Sequence, residues 1–284
     1  TISLRVVVSR GGRDAGIFPT HGPLRITAPE LAPVTVILEL KDPEGDDHGP
    51  GSYLYPLDAV FQPKVFDLKS FVVGEDERDL VFTFTFYGPV PNPWNSPINL
   101  SLQTLDIYID VDPGAGTGRR LLLPGRNASL AKGYGWEYAI WVEGWLQQIW
   151  TVEPAGELTQ LKASFKTIVN PERQTVTVRV PKEVFGREVD PHRWAYVAVV
   201  LSQEGYPSPG VWRVRDVEKE PKQWRLGGAP DDTNHTRIVD LAWPEGASPT
   251  QEEILGQYPP SREPDTGKLG PDDFCQITPL KPGE

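Results

Sequence analysis

The segment Lys41–Gly51 (KDPEGDDHGPG) sets Asp42, Asp46 and Asp47 in a turn rich in Gly and Pro. Hard cations such as Ca²⁺ take about six to eight oxygens, mixing carboxylates with backbone carbonyls in a sharply turned loop. The three aspartates supply that chemistry, and a solvated acidic loop with Asx turns is the competing reading. The spacing is not that of an EF-hand loop. A second acidic set is Asp106, Asp110 and Asp112, which alternation places on one strand face with Tyr108 between them. It could meet a cation or a sugar hydroxyl, or form a plain polar outer face. As a glycosidase pair Asp106 and Asp110 are poorly spaced. Four residues along one strand separates their Cα atoms by roughly 13 Å, more than two carboxylates flanking one glycosidic bond require.

The third feature is aromatic. Trp94 sits in the proline-bounded stretch Pro91–Pro97, whereas Trp136, Trp141, Trp145 and Trp150 crowd one segment with Tyr134 and Tyr138. Flat aromatic faces can stack on the C–H faces of sugar rings, although Trp is also a large core filler. Trp141, inside a strand pattern, reads as core, and Trp94, on a loop, as surface. Other signals are weak. His21, His48, His192 and His235 are dispersed without zinc spacing. No phosphate-cradling loop and no GxSxG elbow occurs. Asn99, Asn127 and Asn234 begin glycosylation triplets, and Cys275 reads as a packed thiol.

The elements that must position these residues are strands. Leu80, Phe82, Phe84 and Phe86 alternate with more polar neighbours, as do Leu105, Ile107 and Ile109, and Val176, Val178 and Val180. That is the period of a strand with one face on a core. Further strands are expected over Ile2–Val8, Val34–Leu40, Glu137–Glu143, Leu158–Ile168, Arg193–Leu201 and Val211–Val217. Helix is expected only as a turn at Lys182–Phe185 and a short helix at Thr250–Gln257, where Thr250 and Glu253 form a capping box. The fold class is therefore all-β, an antiparallel β-sandwich with very little helix. The tail from about Glu245 is expected to wrap the surface in extended form.

Composition narrows the function classes. A net charge of −11 over 284 residues argues against nucleic acid as a partner. No stretch approaches the roughly 18 apolar residues of a membrane helix, and a lone Cys allows no intrachain disulfide. The chain starts at Thr1 and contains no Met. It is expected to be a processed product or an excised module, with removal of a secretory signal the favoured explanation.

Three ordered segments carry a resemblance: Asp42–Pro56; Val90–Pro97 running into Ser101–Gln103 and Tyr108–Asp110; and Pro124–Asn127 with Val142–Trp145. With Phe66–Leu68, Gly227–Leu241 and the helix near Gln251–Tyr258, the chain resembles the C-terminal module of glucodextranase. That module also occurs on some pullulanases and on surface-layer (S-layer) associated proteins. The match spans roughly Val34 to Tyr258. The resemblance implies a jelly-roll, DOMON-like sandwich related to family-nine carbohydrate-binding modules, with calcium as a structural ion and no catalysis. It implies calcium ligands among Asp42, Asp46, Asp47 and Asp67, and sugar contacts from Trp94 and Trp136, joined by Trp145 and Arg126. The expected layout is an N-terminal strand extension over 1–33, the sandwich over 34–258 and an extended tail over 259–284. The expected function is non-catalytic binding of polysaccharide or cell-wall glycan at the cell surface or after secretion, with other envelope proteins as possible partners. The alternatives are a structural protein of an envelope layer or fibre and, last, a glycoside hydrolase.

Overall fold

The computed structural model describes residues 9–10, 13–14, 33–153, 156–186 and 189–283. In the unit Thr1–Pro33, β1 (Ser9–Arg10) pairs antiparallel with β2 (Arg13–Asp14). The strand expected over Ile2–Val8 lies outside the described residues.

The unit Val34–Glu284 contains β3 (Thr35–Lys41), β4 (Leu68–Glu75), β5 (Asp79–Phe86), β6 (Gln103–Asp110), β7 (Ala128–Leu130), β8 (Tyr138–Val142) and β9 (Gln147–Val152). It continues with β10 (Leu158–Leu161), β11 (Lys166–Asn170), β12 (Thr175–Pro181), β13 (Ala195–Ser202), β14 (Ile238–Leu241) and β15 (Cys275–Ile277). Among the described residues two large antiparallel sheets form, ordered β11-β12-β5-β4-β3 and β10-β9-β8-β6-β13-β14. The core between them takes Phe71, Phe82 and Phe84 from the first sheet and Leu105, Ile107, Ile140 and Val200 from the second. These are the side chains that period-two alternation points inward. Each large apolar side chain so buried contributes about 1.5–3 kcal/mol. The chain is an all-β sandwich, as the alternation predicts.

The six-stranded sheet departs from the expected pattern. Every residue of β6 and of β13 is buried. A second apolar layer covers the outer face of this sheet, joining Trp141, Val197 and Val199 to Leu122, Leu123 and Leu130 from loops and β7. The tail supplies the rest. Ile254, Leu255, Cys275 and Ile277 all lie in this second core, and β15 pairs in parallel with β7. The tail, expected to wrap the surface in extended form rather than build its own core, packs on the outer face of this sheet, and its apolar residues complete the second core. Cys275 packs in this core, and burial pushes its thiol up to about 12, which disfavours the reactive thiolate.

Two smaller differences and one agreement matter for the site. The stretch Leu158–Ile168 splits into β10 and β11, which belong to different sheets. The segment Val211–Val217 forms no strand, because Arg213 adopts a left-handed φ of 52° that interrupts pairing; isolated bridges Gln203–Val214 and Val217–Leu226 hold it instead. The helix α1 (Gln251–Gly256) begins at the expected capping box, with the Glu253 amide donating to Thr250 Oγ1 at 3.3 Å and the Thr250 amide to Glu253 Oε2 at 2.8 Å.

Candidate functional site

Two sites lie in this unit, a buried carboxylate centre and an open aromatic cleft. The first begins where β3 ends. Asp42 follows β3, Asp46 lies in the turn made by Gly45 (φ 88°), and Asp240 sits in mid-β14. One carboxylate oxygen from each of these three lies within 4.8 Å of the others. Backbone amides satisfy part of the set: Trp243 donates to Asp42 Oδ1 at 2.6 Å and Leu68 to Asp240 Oδ2 at 2.7 Å. Among the described residues, Asp42 Oδ2, Asp46 Oδ1 and Asp240 Oδ1 are buried with no hydrogen-bond partner. Burying a carboxylate without a partner is costly, and three like charges together are worse. Burial, and then the charge of Asp46, pushes Asp42 up to about 9; burial raises Asp46 to about 6. Burial, and then Asp42, holds Asp240 well above the usual carboxylate range. A hard divalent cation fits this donor set, since it would satisfy all three orphaned oxygens and cancel the repulsion.

Asp47 and Asp67, expected as ligands, stand outside this three-carboxylate centre. Both oxygens of Asp67 accept from the Gly45 amide, at 3.1 and 3.0 Å. Asp47 accepts from the Tyr55 hydroxyl. They brace the loop that carries Asp46. Asp240 is the ligand candidate that the sequence reading missed. It is the only charged residue in the apolar run Ile238–Trp243, and a lone carboxylate in a fully buried strand was the available signal.

The acidic set of Asp106, Asp110 and Asp112 does not stay together. Asp106 is fully buried and paired bidentately with Arg126, at 2.6 Å to Nε and 3.1 Å to Nη2. It also accepts from the Tyr108 hydroxyl at 2.9 Å. The polar outer face expected there is thus an interior ion pair. Asp110 and Asp112 cluster with Glu137 instead. Asp110 accepts from the amides of Asp112 and Gly135, both at 3.1 Å, and Glu137 accepts from the Val111 amide at 2.9 Å and from Thr117 Oγ1 at 3.2 Å. These bonds account for that cluster as a loop staple.

Two expected sugar contacts are also corrected. Arg126 is wholly buried; besides Asp106 it donates to the carbonyls of Pro124 (3.0 Å) and Trp212 (2.8 Å) and lies over the Trp141 ring at 5.0 Å. Trp136 is likewise buried, edge-on to Tyr108 with its indole N–H donating to Leu121 O at 2.9 Å. Neither offers a face to solvent.

Trp94 and Trp145 do meet, in an open cleft of about 700 Å³ that they share with Trp224, Tyr206, Gln203 and Glu204. Trp145 is 40% exposed, Trp224 37% and Tyr206 90%. Trp94 is half-buried and packs on Trp224 with ring centroids 6.1 Å apart. The proline-rich loop is pinned by Asn92, whose Oδ1 accepts from the Ser96 amide at 2.8 Å. Trp145 follows Gly144, where any Cβ would collide with the Leu100 carbonyl; this close approach requires glycine. Every cationic group of the cleft is already paired. Arg213 binds Glu143 at 2.9 Å while lying over Trp145, and Arg215 and Arg225 both bind Glu204, at 2.9 and 2.7 Å. Burial pushes Arg215 down to about 10. Gln203 Nε2 is buried with no partner among the described residues. Trp224 and Tyr206 were not singled out from sequence, yet Trp224 stands in a polar, proline-bounded stretch just as Trp94 does.

An antiparallel two-sheet sandwich carrying an open aromatic cleft and a buried carboxylate centre defines the class, a β-sandwich module. The chain belongs to the family described as the C-terminal binding module, SLH-like, of glucodextranase, whose sequence profile matches residues 37–268. A search of the curated proteins finds no match. Among solved structures, a carbohydrate binding module family 9 (CBM9) from Caldicellulosiruptor kristjanssonii in complex with cellotriose is similar at 13% identity and a TM-score of 0.24, covering 51% of this chain and 69% of that chain. At that score the likeness fixes neither fold nor ligand. No helix among the described residues is long and apolar enough to cross a membrane.

Proposed function

We propose that this module binds a neutral polysaccharide or cell-envelope glycan at the cell surface, without catalysis, and that calcium stabilises it. The observation that carries the binding reading is the convergence of Trp94, Trp145 and Trp224 on one open cleft. Aromatic faces would take the apolar faces of sugar rings, and the exposed Tyr206 would offer its hydroxyl to a sugar hydroxyl. Because each arginine of the cleft already has a carboxylate partner, an uncharged glycan fits better than an acidic one. Glu204, the carboxylate of the cleft, is held by two arginines, which favours binding over acid–base chemistry there. Calcium would be held by Asp42, Asp46 and Asp240, where it neutralises buried charge.

Calorimetric titration against soluble α-glucans and purified envelope glycan tests the reading. Trp224→Ala and Trp145→Ala are each expected to weaken binding by about 30-fold, the scale of a central aromatic anchor, with melting temperature little changed. Absence of binding to every glycan, or full affinity in both variants, would sink it.

A further inference from the structure

We propose that the cation centre controls the order of the aromatic cleft, so that calcium and glycan bind cooperatively; this rests on the binding reading above. The inference comes from one stretch of chain, residues 42–67. One end reaches the carboxylate centre and the other braces it: Asp42 contributes an orphaned oxygen, and Asp67, just outside the centre, holds the Gly45 amide beside Asp46 with both carboxylate oxygens. Its middle forms the support of the cleft. Leu54 exchanges backbone hydrogen bonds with Gly227, at 3.0 and 2.9 Å, and the Leu57 amide donates to Lys222 O at 2.9 Å. These bonds hold the 222–227 strip that carries Trp224. Phe61, near the end of that middle stretch, packs edge-on against both Trp94 and Trp224, at 6.5 and 6.1 Å.

Side chains join the ends to the middle. The Tyr55 hydroxyl donates to Asp47, next to Asp46, and accepts from the Phe66 amide at 3.2 Å. The Tyr55 ring meets Phe66 edge-on at 5.2 Å, and Phe66 lies 6.3 Å from Phe61. An unbroken set of contacts therefore runs from Asp46–Asp47 to the tryptophans. With no cation, three buried carboxylate oxygens are left without partners at the point where this loop closes. With a cation they attract to one centre, and the loop that supports Phe61 and Trp224 closes on a fixed base. Thermodynamic linkage then requires the effect to be mutual, so a glycan that favours the ordered cleft tightens calcium binding by the same factor.

The test uses calcium alone as the first probe and the soluble α-glucan pullulan as the second. Amide hydrogen exchange is followed with calcium and with chelator. Calcium is expected to slow exchange at Leu54, Leu57, Lys222 and Gly227 as well as in 42–51. Tyr55→Phe keeps the ring but loses the hydroxyl link; it is expected to bind calcium while losing most of the added protection at 222–227. Pullulan affinity is expected to rise about fivefold or more with calcium. Protection confined to 42–51, unchanged exchange on adding calcium, or full transmission in Tyr55→Phe would overturn the linkage. Pullulan binding equally with and without calcium would also overturn it. If pullulan fails to bind in either state, the glycan reading fails for that polymer, while exchange at 222–227 still decides the linkage.

Discussion

Arg126→Met is expected to destabilise the protein by about 3–5 kcal/mol, the cost of leaving one member of a buried ion pair without the other. For a domain of this size that corresponds to a drop of about 6–20 °C in melting temperature. Both side chains of the Arg126–Asp106 pair are fully buried. The guanidinium satisfies both Asp106 oxygens and two backbone carbonyls, those of Pro124 and Trp212. Removing it leaves a carboxylate in the interior and frees two acceptors. The double replacement Asp106→Leu with Arg126→Met is expected to recover most of the loss, because the charge and its partner leave together and the Trp141 ring gains an apolar neighbour. Urea unfolding of the single and double variants measures both numbers. A single variant that stays as stable as the parent but loses glycan binding would instead restore Arg126 to the sugar site.

Arg126 also shows where sequence reading ends. Its residue type suits a sugar contact, and so does that of Trp136; Arg126 also stands in Pro124–Asn127, one of the segments that carry the family resemblance. What the sequence does not display is a second apolar layer over the six-stranded sheet. Alternation in Leu105, Ile107 and Ile109 identifies the inner face of β6 correctly, but it implies that Asp106 and Tyr108 face water. They face Leu122, Leu123 and the tail residues of the second core, and the polar atoms among them satisfy one another. A layer assembled from residues 122–130, 254–255 and 275–277 has no local period to reveal it. The cleft was half legible for the opposite reason. Trp94 and Trp145 lie in loops whose Pro and Gly residues announce exposure, whereas Trp224 joins them through bridges to a segment some 170 positions away. The acidic loop was legible because Asp42 and Asp46 are close in sequence. Asp240, almost 200 positions on, is brought beside them by the pairing of β14 with β13 and by Gly49, whose amide donates to Val239 O at 2.8 Å.

Adding calcium to chelated protein is expected to raise the melting temperature by about 5–10 °C when free calcium is 100 times its Kd. This follows from about 2.7 kcal/mol of stabilisation at that ratio and the slope for a domain of this size. At a fixed free calcium concentration the gain should grow with pH. In the cation-free fold, burial raises Asp46 from 3.8 to about 6 and Asp42 from 3.8 to about 9. The folded protein therefore holds protons that the unfolded chain has released. Stability from these groups is fully present below about pH 4 and is lost as pH rises, through about 6 for Asp46 and on to about 9 for Asp42. Chelated protein is expected to weaken across that window, and calcium, which replaces the protons, to remove most of the slope. Asp240→Asn separates this from a general salt effect. It removes one of three orphaned carboxylate oxygens and gives the cluster an amide donor in exchange. The variant is expected to lose the calcium shift altogether. In chelator at pH 8 it should melt above the chelated parent, because the fold no longer has to hold on Asp240 a proton that the unfolded chain has released. An undiminished calcium shift in Asp240→Asn would place the ion elsewhere, and a chelated parent whose stability stays flat from pH 4 to 9 would show that the three oxygens are satisfied without it.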